Sequence, residues 1–146
     1  MITKEDLNKA FQKVSKALEK DESINILMAL DDFQSLMLTL GFTKQDSTFF
    51  IIGDAISTLS YHLKDMYSRF VPGVVPKEIL SNATSRIRKV LNNVRKCLFI
   101  LQKEMLEDDK PDYKAILEAI GQIYLESYEM FKFRSSYVFP SEFASE

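Results

Sequence analysis

One histidine, one cysteine and two adjacent carboxylate pairs are the side chains of this 146-residue chain best suited to chemistry. His62 stands between Tyr61 and Leu63, with no second histidine to share a metal or relay a proton. Structural zinc sites draw four ligands from Cys, His and carboxylates at set spacings, and the chain has neither an HExxH pattern nor a cysteine cluster. Any histidine-dependent triad would have to run through His62. Cys97 shares a helical phase with Val90, Val94 and Leu101, the setting of a small buried hydrophobe and not of a nucleophile. Asp31-Asp32 and Asp108-Asp109 lack the Glu-x-x-His pairs that di-iron bundles place on facing helices. Four scattered glycines form no GxGxxG or GxxxxGK[ST] phosphate loop. The expectation is a chain that works without catalysis, metal or cofactor. The enzymatic alternative is a small helical enzyme or regulator built on a pocket near His62.

A second alternative rests on residues 21–32. Asp21, Ser23, Asn25 and Asp32 fall at positions 1, 3, 5 and 12 of a calcium-loop pattern, with Met28 at the apolar position 8. Phe33, Leu36, Met37, Leu40 and Gly41 follow as an exiting helix would. The stretch resembles an EF-hand, and the resemblance implies a degenerate calcium-binding or light-chain-type module using those four residues. It departs from the pattern at Ile26, where the loop turns on glycine, and at Asp32, where the family has a bidentate glutamate. From Ala29-Leu30-Asp31-Asp32 onward the same region is similar to the small helical bundles at the N-termini of transcription elongation factors.

The most informative stretch lies between Ile79 and Lys103. It has no acidic residue and six cations, Arg86, Arg88, Lys89, Arg95, Lys96 and Lys103. At 3.6 residues per turn, and with Arg86 at about 0°, Val90, Val94, Leu101, Ile87, Leu98, Leu80 and Leu91 fall between about 40° and 140°. Arg95, Arg88, Lys103, Lys96 and Lys89 fall between about 180° and 300°, with Phe99 at about 220° among them. A solubilising helix face mixes signs to gain i,i+4 pairs, whereas this one is uniformly basic unless Asp31-Asp32 or Glu107–Asp109 reach it from elsewhere. An aromatic among arginines is the composition of interface hot spots. The candidate binding residues are therefore Arg88, Lys89, Arg95, Lys96, Phe99 and Lys103, and the expected partner is an acidic protein. The net charge of −2 and the scarcity of interleaved aromatics disfavour nucleic acid.

Those side chains need helices to position them, and the apolar spacing supplies five. Apolar residues recur at three and four over about 4–20, 23–40, 45–70, 77–106 and 113–133. Thr3 with Asp6 predicts a capping box, Gly41 a left-handed helix end, and Asp112 an N-cap. The third helix is the most apolar and is expected to be central. Val71-Pro72-Gly73-Val74-Val75-Pro76 separates the third helix from the fourth. No alternating strand pattern or repeat occurs. The expected fold is all-α, a compact single-domain bundle of about five mostly antiparallel helices over 1–133, followed by a tail over 134–146 that contains Tyr137, Phe139, Pro140 and Phe143.

A composition of 46% hydrophobic and 27% charged residues suits a packed domain and argues against disorder. The single Cys97 cannot form an internal disulfide, which points to a reducing, intracellular compartment, cytoplasmic or nuclear. The charged N-terminus is not a secretory signal. The longest apolar runs, 49–52 and 97–101, fall short of the roughly 20 residues of a membrane span, so no transmembrane segment is expected. Helix five and the tail are rich in aromatics, which leaves room for a homo-oligomer through the C-terminal part of the chain.

Overall fold

The computed structural model describes residues 1–107 and 109–139, and Asp108, Pro140 and Phe143 lie outside them. Five α-helices form: α1 (Lys4–Leu18), α2 (Ser23–Lys44), α3 (Ser47–Arg69), α4 (Lys77–Gln102) and α5 (Tyr113–Ser135). Helix accounts for 83% of the structure, and no strand occurs among the described residues. Side-chain capping fixes three of the helix starts. The Thr3 hydroxyl accepts from Asp6 N at 3.1 Å while the Asp6 carboxylate accepts from Thr3 N at 2.9 Å, a complete capping box. Asp46 caps α3 through Thr48 N, and Asp112 caps α5 through Lys114 N and Ala115 N. Pro76, with no N–H to lose, precedes α4.

The helices close into a ring in the order α1–α2–α3–α5–α4, each packed on its two neighbours. Cross-helix contacts give the directions. Glu19 pairs with Arg95 and Asp21 with Arg88, so α1 and α4 run antiparallel. Tyr124 bonds Asp54, His62 meets Phe131 and Arg134 pairs with Asp65, so α3 and α5 are the parallel pair. The core inside the ring includes Phe11, Ile26, Leu30, Met37, Ile52, Ile56, Leu59, Leu63, Leu98 and Ile123, all essentially without solvent contact. The Phe11 and Phe33 rings meet edge to face at 5.0 Å across α1 and α2.

Three expectations change. α2 does not end at Gly41 but continues to Lys44, and Gln45 takes the left-handed conformation (φ 50°). Gly41 is there for space: a Cβ would stand 2.8–3.0 Å from the Phe50 ring of α3. α3 is not a central helix but one member of the ring, with Phe50 only half-buried and Tyr61 exposed. α4 gives way after Gln102 to one π-helical turn, Lys103–Glu107, whose Glu104 accepts from Asp112 N at 2.9 Å and ties the turn to the start of α5.

The tail is anchored as far as it is described. Phe139 is buried, with ring contacts to Phe70 (5.1 Å) and Tyr137 (4.8 Å), and the Arg69 and Arg134 guanidinium groups lie 5.5 Å from its centroid. By length and composition α2 could cross a membrane, contrary to the expectation from its short unbroken apolar runs. In the bundle it packs between α1 and α3 and carries Asp31 and Asp32 at mid-length.

Candidate interaction surface

α4 divides as its sequence phase requires. Ile87, Val90, Leu91, Val94, Leu98 and Leu101 are buried, and Lys89, Lys96 and Lys103 are exposed on the other side. Phe99 is 68% exposed and Ile100 beside it 40%, an apolar pair on an otherwise basic face. The ring of Phe99 borders an open groove of about 670 Å³ between α1 and α4, with Gln12 and Ser15 on one wall and Asn92, Arg95, Lys96 and Ile100 on the other. Asn8 and Gln102 are hydrogen-bonded across its far end.

The basic arc is partly neutralised, by acids other than those the sequence nominated. Arg95 donates to Glu19 at 2.6 Å and Arg88 to Asp21 at 2.9 Å, both from the α1–α2 connection. Asp31 is engaged elsewhere, with Lys64 at 3.5 Å and the Ser60 hydroxyl at 3.1 Å. In the other nominated group, Glu107 and Asp109 form no ion pair among the described residues and Asp108 lies outside them, while the neighbouring Glu104 accepts from the Asp112 backbone. Lys89, Lys96 and Lys103 have no ion pair among the described residues. The six candidates thus separate into two arginines that bind the α1–α2 connection to α4, Phe99, and three unpaired lysines, of which Lys96 and Lys103 neighbour Phe99 and Lys89 lies two turns before Lys96.

The opposite flank of α4 faces a buried carboxylate that no sequence motif marks. Glu126 of α5 is 6% exposed, and its Oε1 accepts from the amides of Asn93 and Gln122, each at 2.9 Å. Two amide donors offset the cost of burying that carboxylate. The helical phase of α5, with Ile123 and Met130 inward, places Glu126 on the same side and was the available signal. Cys97 lies against this cluster, 4% exposed. Burial first, and then the Glu126 charge, push its thiol up to about 11, so it is protonated at neutral pH and a poor nucleophile.

His62 contacts Tyr61 and Phe131 edge to face at 5.2 and 5.8 Å, and neither groove beside α4 includes it. Burial lowers its pKa below the usual histidine value, opposed by the Asp65 charge. The stretch that resembles an EF-hand is α-helical from Ser23 onward, and Asp21 is committed to Arg88. No group of three or more His, Cys, Asp or Glu side chains converges on a metal-sized space among the described residues. No protein-family model, curated protein or solved structure matches the chain.

Proposed function

We propose that the protein is a non-enzymatic helical interaction module, an adaptor whose α4 face binds an acidic protein partner. The observation that carries this reading is Phe99, two-thirds exposed beside Ile100 and flanked at i−3 and i+4 by the unpaired Lys96 and Lys103, with the unpaired Lys89 two turns before Lys96 on the same helix. Burying one such ring stabilises a complex by about 1.5–3 kcal/mol. The lysines would steer an acidic surface to it and penalise a basic one. The groove between α1 and α4 gives an acidic segment a place to lie, with Gln12, Ser15 and Asn92 as hydrogen-bonding partners along its walls. A reducing, intracellular setting fits a chain with one thiol.

The test is capture from an extract of the source cell by wild type, Lys89→Glu/Lys96→Glu and Phe99→Ala, each first shown by circular dichroism to be folded. The reading expects one acidic protein retained by wild type and lost from both variants, with retention falling as salt rises. An identical set of proteins on all three baits would contradict it. A second reading, self-association through α5, is favoured by a separate observation: Leu117, Leu125, Tyr128 and Phe131 are each at least half-exposed on that helix.

A further inference from the structure

We propose that a second copy of this chain docks on the outer face of α5 as an antiparallel helix pair crossing at Gly121. The proposal rests on the self-association reading and adds the orientation, the register and the contact residues.

α5 has two apolar faces, and the ring accounts for one. Ile116, Ala119, Ile120, Ile123 and Met130 are buried inside the bundle. At about 100° per residue, Tyr113, Leu117, Gly121, Tyr124, Tyr128 and Phe131 share a second arc only about 80° wide. From Leu117 their spacing is four, three, four, three, the spacing of a helix–helix seam. Tyr113, Leu117, Tyr128 and Phe131 are 50–63% exposed. The face continues onto α3, where the exposed Tyr61 joins it through the Tyr61–His62 and His62–Phe131 ring contacts.

The exposed apolar area approaches what a dimer needs. With aromatic side chains presenting about 200 Å² each when fully exposed, the four rings Tyr61, Tyr113, Tyr128 and Phe131, together with Leu117 and Leu125, offer roughly 600–700 Å². A stable interface of standard size buries about 800 Å² per partner. Solvated monomers seldom leave an apolar patch of this size uncovered.

Gly121 marks the point of closest approach. Within one copy it has no packing role, because a Cβ there would meet nothing within 4 Å, yet glycine weakens a helix interior. A two-fold antiparallel pair centred between residues 122 and 123 sets the solvent-facing edge of each Tyr124 ring, whose hydroxyl stays bonded to Asp54 of its own copy, over the open backbone at Gly121 of the other. The same register places Leu117 against Tyr128 and brings the Lys132 ammonium beside Tyr113. A parallel pair would instead set glycine against glycine and each Tyr128 ring against its own copy, a different register that cross-linking separates from this one.

Sedimentation velocity of the full chain across micromolar concentrations measures association, and cysteine cross-linking in a Cys97→Ala background measures register. The expected result is a dimer that cross-links when the Leu117→Cys and Tyr128→Cys chains are mixed, and in neither chain alone. In the antiparallel register the two copies of residue 117 lie roughly 16 Å apart along the helix axis, beyond disulfide reach. Gly121→Ala should raise the dissociation constant at least tenfold with helicity unchanged. A chain monomeric at all concentrations would overturn both the self-association reading and this proposal. A dimer that cross-links through Leu117→Cys alone, or through neither arrangement, would overturn the antiparallel register while leaving self-association standing.

Discussion

Replacing Gly41 or Gly121 by alanine applies the same chemical change to two helix interiors with opposite surroundings. Each substitution gains helix propensity, about 0.8–1 kcal/mol per Gly→Ala change. At Gly121 nothing offsets the gain in the monomer, because the new methyl meets open space. At Gly41 the methyl would stand 2.8 Å from Phe50 Cδ2 and 2.9 Å from Cγ, the root of the ring and not a flexible tip. Phe50 cannot retreat freely, since it already packs edge to face on Phe42 at 4.9 Å. Forced overpacking costs about 1–3 kcal/mol, so Gly41→Ala should come out between neutral and about 2 kcal/mol destabilising. Urea unfolding followed by circular dichroism, at concentrations low enough to keep the chain monomeric, reads both. The ordering Gly121→Ala above wild type and Gly41→Ala at or below it is the expected result. If Gly41→Ala stabilised as much as Gly121→Ala, the α2–α3 contact through Phe50 would be wrong.

Three further predictions follow from the packing and charges. Phe139→Ala should cost about 1.5–3 kcal/mol in urea unfolding, the value of one buried ring, because the released tail can leave without opening the bundle; a change under about 0.5 kcal/mol would mean that the tail does not dock. Folding holds the Cys97 thiol at about 11 against an ordinary 9.0, so its contribution is present below pH 9 and fades as pH rises through 11. Two pKa units correspond to about 2–3 kcal/mol, and Cys97→Ala should flatten that alkaline limb of a pH-dependent stability curve. Glu19→Gln with Asp21→Asn should lower stability by about 1 kcal/mol or less, since both pairs are solvent-exposed, while freeing Arg95 and Arg88 to tighten binding of an acidic partner.

Much of this was legible in one dimension because helices are local. Apolar spacing marked five helices, Thr3–Asp6 and Asp112 marked starts, and the α4 phase separated a buried Cys97 from an outward Phe99. The misses are of another kind. Gly41 looks like a helix end until Phe50 is known to lie on it. The acids facing α4 come from Glu19 and Asp21, because the ring order sets the end of α1 beside Arg95 and the start of α2 beside Arg88. Helical phase separates the outward Tyr128 and Phe131 from the inward Ile123 and Met130, but it gave no hint that Phe133, Tyr137 and Phe139 gather on Phe70. The parallel neighbour relation of α3 and α5 decides which of these rings are covered.

A photoreactive phenylalanine analogue at position 99 tests the central claim at the side chain itself, with position 42 as control because Phe42 is exposed to a similar degree but lies on α2 against Phe50 and not on the basic face of α4. Both chains are irradiated in extract of the source cell, with and without Lys89→Glu/Lys96→Glu. An acidic protein cross-linked at position 99, absent at position 42 and lost on charge reversal, is the predicted result. The same products at both positions, unaffected by the reversal, would contradict the assignment of the α4 face as the binding surface.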